Sequence, residues 1–247
     1  MDHREYIRIS DHKQTAVLMI HGIIGSLRHF DMLIPLIPAE WSIYNILLDG
    51  HGKRVEDFAE SSMKKWRDQV TAITDRLCRE YEQVVLVGHS MGTLLAVEQA
   101  LRYPQHIPAV ILLAAPLNVR LKGQIVRNSL KAIYGRVNPD DPVAVATQNA
   151  TSVSPDRRLW RYLCWVPRFW ELLVRIRATR ALIPQITVPT YVFQSRKDEL
   201  VSPKSARHFA GNDRISVRFL EQSGHFYYPE ADLAILQEAV AAIIHRI

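Results

Sequence analysis

Three side chains far apart in the 247-residue chain, Ser90, Asp198 and His225, are the groups needed to make a hydroxyl attack a carbonyl carbon. A serine hydroxyl is a weak nucleophile until a base takes its proton, and an imidazole can do so near neutral pH. A carboxylate beside the imidazole holds it in the right tautomer and stabilises its protonated form. Ser90 lies in Gly88-His89-Ser90-Met91-Gly92, straight after the run Val84-Val85-Leu86-Val87 and straight before the helical pattern of Leu94, Leu95, Val97, Ala100 and Leu101. Strand, sharp turn and helix is the setting in which Gly-x-Ser-x-Gly works as a nucleophile elbow. Gly88 and Gly92 leave room where side chains two residues from Ser90 would collide. The helix after Ser90 points its positive end, and the Met91 N–H, at any negative charge that forms beside the serine.

The elements around these residues follow from hydrophobic patterning. Ala16-Val17-Leu18-Met19-Ile20 reads as a buried strand that stops at His21-Gly22-Ile23-Ile24-Gly25. Gly22 and Gly25 make a tight loop there, and spacing favours the Ile23 N–H as a second donor to an oxyanion. His21 braces that loop and takes no chemical role. Tyr6 to Ile9 forms a weak edge strand, Phe30 to Ile37 a short helix, and Ile43 to Leu48 the next strand. That strand ends at Asp49-Gly50-His51-Gly52, where His51 is structural. Trp66, Val70, Ile73 and Leu77 fall on one helix face, capped by Ser61 or Ser62. Ala109 to Ala115, Val188 to Gln194 and Ile215 to Leu220 are further strands, and a last helix runs from about Pro229 to Ile244. Strands that are nearly continuous in apolar residues and alternate with helices predict a parallel sheet covered on both faces. Parallel strands bring their C-terminal ends to one edge. Ser90, Asp198 and His225 each follow such an end, in the chain order Ser, Asp, His expected of this architecture. Glu199 is a rival for the acid, and its turn position favours Asp198.

Composition bounds the rest. The chain is 48% hydrophobic and 23% charged, as in an ordinary globular protein. No apolar run is long enough to span a membrane. The polar start lacks a signal-peptide pattern, and Cys78 and Cys164 are far apart without metal-like spacing, so the expected location is the cytoplasm. Residues 117–185 hold twelve Lys/Arg against four Asp/Glu, a surplus of eight in a chain whose net charge is +6. The basic character therefore belongs to one segment and is no nucleic-acid signature. That segment interleaves arginines with Trp160, Tyr162, Trp165, Phe169 and Trp170. It reads as a helical cap over the strand ends, with residues 1–116 and 186–247 forming the core. Its aromatics line an acyl pocket, contact an anionic lipid surface, or form the cap's own core under a solvated basic face.

The chain resembles the small carboxylesterases and monoacylglycerol lipases of the α/β-hydrolase family. The likeness rests on His21-Gly22-Ile23-Ile24-Gly25, Asp49-Gly50-His51-Gly52, the pentad around Ser90, Gln194 to Asp198 with Val201 to Ala206, and Gln222-Ser223-Gly224-His225. It fades between Leu117 and Ile183. The resemblance implies an α/β-hydrolase fold: a mostly parallel eight-stranded sheet whose second strand is antiparallel, helices on both faces, and the cap inserted after the sixth strand. It implies hydrolysis through an acyl-enzyme without metal or cofactor, and an oxyanion hole from the N–H groups of Ile23 and Met91. Two positions depart from the family, which often has an aromatic residue in place of Ile23 and a glycine in place of Ser195. The leading expectation is a serine hydrolase for carboxylic esters of medium or long acyl chains, such as a monoacylglycerol. An acyl-CoA thioesterase and a non-catalytic binding protein with the same fold are the alternatives.

Overall fold

The computed structural model describes residues 4–120, 122–123, 127, 130–131 and 133–247. Seven strands form one sheet: β1 (Tyr6–Arg8), β2 (Thr15–Ile20), β3 (Ser42–Ile46), β4 (Gln83–His89), β5 (Val110–Leu113), β6 (Thr190–Ser195) and β7 (Ile215–Leu220). Their order across the sheet is β1-β3-β2-β4-β5-β6-β7. β1 runs antiparallel to β3, and every other pairing is parallel. Among the described residues the expected eight strands with an antiparallel second one are thus corrected to seven with an antiparallel first, and the cap follows the fifth strand, β5, instead of a sixth. Between residues 4 and 14 only Tyr6–Arg8 forms a strand, because the polar stretch Ser10 to Gln14 offers no second apolar run.

Period-two alternation sends successive strand residues to opposite faces. Ala16, Leu18 and Ile20 of β2, with Val84 and Leu86 of β4, join one core, and Val17, Met19, Val85 and Val87 join the other. Helices cover both. The first face receives α1 (Val55–Ala59), α2 (Met63–Glu80) and α3 (Met91–Arg102) through Phe58, Trp66, Leu77 and Leu94. Ser62 caps α2, its side chain accepting from the Lys65 N–H. The second face is covered by the C-terminal helix Glu230–Ile244 and by two 3₁₀ turns, Leu27–Phe30 and Ile34–Leu36, where a single helix was expected. Pro35 and Pro38 lack the N–H that a continuous helix would need, which splits the segment.

The described residues from 135 to 185 include four helical pieces: α4 (Pro142–Asn149), a 3₁₀ stretch Leu159–Trp165, α5 (Val166–Leu182) and a closing turn Ile183–Gln185. The C-terminal helix Glu230–Ile244 is then α6. α5 packs on α3 and α2, burying Ile176 and Thr179. At that contact Arg175 reaches Glu98 of α3 at 2.8 Å, and Arg67 of α2 grips the same carboxylate. Trp165 is core, its ring 4.7 Å from that of Phe58 and its indole N–H donating to the Val55 carbonyl at 2.9 Å. Among the described residues no helix is long and apolar enough to cross a membrane.

Candidate active site

Ser90 stands between β4 and α3 with φ 51° and ψ −121°, a conformation that L-residues rarely adopt. Close packing holds it there. A Cβ on Gly92 would sit 1.9 Å from the Ile20 carbonyl oxygen, and one on Gly88 would sit 2.8 Å from the Gly92 backbone. The two glycines let the turn fold back on itself and on β2. The Ser90 N–H donates to Leu113 O at 2.9 Å, and the Ser90 carbonyl accepts from the N–H and hydroxyl of Thr93 at 3.0 and 2.7 Å. Among the described residues two other non-glycine residues share the positive φ, Ile24 after β2 and Ala114 after β5, each at φ 51°. β2, β4 and β5 are neighbours, so the backbone strain gathers on one stretch of the sheet edge.

Asp198 and His225 meet at that edge. The Asp198 carboxylate is fully buried and accepts the His225 Nδ1 proton through Oδ2 at 2.8 Å. Its other oxygen accepts the N–H groups of Leu200 and Val201, both at 2.7 Å. Glu199 accepts the His225 main-chain N–H at 2.9 Å, so it anchors the histidine loop and leaves the imidazole to Asp198. A Cβ on Gly224 would fall 2.7 Å from Glu199 Oε1, so a side chain there would push on the carboxylate that holds the His225 main-chain N–H. From the helix side, Asp232 Oδ2 accepts from the main-chain N–H and the hydroxyl of Ser223 at 2.7 and 2.8 Å.

The structure joins Asp198 to His225 by a hydrogen bond and does not join Ser90 to His225 by one. Ser90 sits against the Gly22 loop, its Cβ 2.8 Å and its Oγ 3.4 Å from where a Gly22 Cβ would sit. Rotation about one side-chain bond swings the hydroxyl, and such contacts tighten when substrate binds. Ile23 follows Gly22 on that loop, and Met91 begins α3, so its N–H has no partner within the helix. Among the described residues neither of these N–H groups is paired with another group.

The loop is braced from two sides. The Leu48 N–H donates to His21 Nε2 at 3.0 Å, which leaves the proton of this imidazole on Nδ1, donated to Gly22 O at 2.8 Å. Gly25 pairs with Thr151 in an antiparallel bridge, and the Ser152 N–H donates to Ile24 O at 3.0 Å. The stretch just after α4 thus clamps the strained Ile24. Sequence patterning had no signal for this contact, since it joins positions 128 residues apart.

A stack of imidazoles lies behind His225. The His29 ring is 3.5 Å from that of His89, and the His89 ring is 4.8 Å from that of His225. His89 donates its Nε2–H to the His225 carbonyl at 3.2 Å. Burial, and then the repulsion of His225, pushes the His29 pKa down to about 3. Burial with the neighbouring His29 holds His89 well below the ordinary value of 6.5, and burial with His21 does the same for His51. Folded-state values below the unfolded one mean that the unfolded chain takes up protons first. The stability from these neutral rings is complete above about pH 6.5 and is lost as pH falls through that value. Each ring contributes a slope of about 1.4 kcal/mol per pH unit. The urea midpoint is therefore expected to fall between pH 7.5 and 5.5, and a midpoint unchanged over that range would contradict the assignment. Burial pushes the Cys78 thiol up to about 11, away from nucleophilic chemistry. Among the described residues no group of three His, Cys, Asp or Glu side chains is arranged to hold a metal ion.

The chain is similar to several known proteins. A family model described as "Serine aminopeptidase, S33" matches residues 11–225. A Drosophila melanogaster protein described as "Probable serine hydrolase" is 31% identical over 125 residues, half of this chain and 36% of that protein. An acetyltransferase component of an acetoin cleaving system from Pseudomonas putida is matched over 32% of its length, so the chain spans about a third of these two curated relatives. A carboxylesterase of Bacillus subtilis is 20% identical over 239 residues, 94% of this chain and 93% of that protein. Among solved structures, a metagenome-derived lipolytic enzyme superposes with a TM-score of 0.76 at 21% identity, covering 100% of this chain and 98% of the other. A monoacylglycerol lipase of Paleococcus ferrophilus gives 0.69 at 16% identity, with 99% of both chains covered. At such identities these superpositions show the fold.

Proposed function

The chain belongs to the family described as serine aminopeptidase, S33, and from that premise we propose that it is a serine hydrolase cleaving carboxylic esters of medium or long acyl chains through an acyl-enzyme. Ser90 is the nucleophile, His225 the base that takes its proton, and Asp198 the group that orients the imidazole. The Ser90 oxygen adds to the ester carbonyl carbon, and the resulting oxyanion is held by the N–H groups of Ile23 and Met91. His225 then returns the proton to the departing alcohol. Water, deprotonated by the same imidazole, releases the acid from Ser90.

One observation carries this reading: the buried Asp198–His225 hydrogen bond forms on the sheet edge where Ser90 stands in a strained turn. The likeness to a carboxylesterase over nearly the whole of both chains supports an ester as substrate. The fold shared with a lipolytic enzyme and a monoacylglycerol lipase supports an acyl chain of some length.

Initial rates on p-nitrophenyl esters from acetate to palmitate, on a monoacylglycerol and on matching acyl-CoA thioesters test the reading. We expect turnover to rise from acetate to the medium or long chains, by about tenfold for each pair of methylenes that the pocket accepts, until the pocket is filled. The glycerol ester is expected to outpace the acyl-CoA. Faster cleavage of the thioester would overturn the ester assignment, and no turnover of any substrate by folded protein would point to a binding protein.

A further inference from the structure

The outward face of the 159–177 segment is apolar. Leu163 is 71% exposed, Trp160 and Trp170 66% each, and Val166 61%, with Leu173 and Val174 at least half exposed. In α5, Val166, Trp170, Leu173, Val174 and Arg177 fall at i, i+4, i+7, i+8 and i+11, one stripe of the helix. The opposite stripe holds the contacts to α2 and α3. Soluble surfaces rarely leave so many large side chains together in water without a use for them.

The charges around this face identify its occupant. Most of the segment's arginines are tied down: Arg158 and Arg161 to Asp156, Arg168 to Glu171 and the Ala59 carbonyl, Arg175 to Glu98, and Arg180 to the Leu117 carbonyl. Glu171 is the only carboxylate side chain between Arg157 and Gln185, and it is held by Arg168 and the Met63 N–H. Arg157 and Arg177 remain exposed, with no ion pair among the described residues. An apolar face bearing two tryptophans, edged by free guanidinium groups and lacking a free carboxylate, complements a phospholipid surface. In an isologous pair, the same face of a second copy would bring only further apolar groups and like charges to it.

We propose that this face docks the protein on a phospholipid bilayer, with Trp160, Leu163, Val166 and Trp170 entering the headgroup–acyl boundary and Arg157 and Arg177 at the level of the phosphates. The docking is driven by apolar burial, so it needs no anionic lipid. It stands apart from the hydrolase reading, because none of these residues takes part in the Ser90 site.

Sedimentation with pure phosphatidylcholine vesicles tests it, using wild type, Trp160→Ser/Trp170→Ser and Ser90→Ala. Wild type and Ser90→Ala are expected to bind alike. The double variant should bind at least about tenfold more weakly while cleaving a water-soluble ester at the wild-type rate. Absence of binding by folded wild type, or equal binding by the double variant, would overturn the proposal. So would self-association of wild type, seen by light scattering and lost in the double variant, in protein that ignores vesicles. Vesicle binding and ester cleavage are read separately, so failure of one leaves the other standing.

Discussion

Ser90→Ala is expected to lower kcat on p-nitrophenyl esters by about 10⁶-fold, the scale seen when the nucleophile of a serine hydrolase is removed. The residual rate, about 10³–10⁴ above water, comes from the oxyanion donors and from substrate binding. Alanine meets the same φ of 51° as serine, and the backbone bonds of residue 90 to Leu113 and Thr93 do not involve the hydroxyl. The fold is therefore expected to survive, with thermal midpoint and circular dichroism unchanged. A loss below tenfold in folded protein would remove Ser90 from the chemistry.

Asp198→Asn is the second large effect, about 10⁴-fold in kcat. The direction follows from the hydrogen bonds around the carboxylate. Oδ1 accepts two main-chain N–H groups at 2.7 Å, so the carbonyl oxygen of an asparagine must take that side. Its amide NH₂ then faces His225 Nδ1, where it can only donate. The imidazole is forced to the tautomer with its proton on Nε2, and it can no longer accept from Ser90. Glu199 offers no substitute, since its carboxylate is engaged with the His225 main-chain N–H. Glu199→Gln keeps an oxygen for that N–H and is expected to change kcat far less. Equal losses in the two variants, or a loss below tenfold in Asp198→Asn, would contradict the assignment of the acid.

The sequence was a good guide where local chemistry dictates geometry. Gly-x-Ser-x-Gly between a β-branched run and a helical pattern leaves few alternatives to a strained turn, and the turn is there. Period-two alternation in β2 and β4 resolves into two cores because those strands are buried on both faces. Asp198 could be preferred to Glu199 from its turn position, and its side chain is the one that meets the imidazole. What could not be read depended on partners distant in the chain. The arginines of 157–180 looked like a basic face, yet Glu98 lies on α3, and most of the charges turn inward, leaving an apolar face outside. The strained Ile24 and its clamp at Ser152 join two loops with no shared pattern. The stack of His29, His89 and His225 brings together three stretches whose histidines look isolated when read singly.

The central claim is that Ser90 is the nucleophile activated by the His225–Asp198 pair. Reaction with a fluorophosphonate, followed by intact-mass measurement and peptide mapping, tests it most directly. The account predicts one adduct per chain, on the peptide carrying Ser90, forming at a rate cut strongly by Asp198→Asn. An adduct on another residue, or no adduct on folded protein, would contradict it.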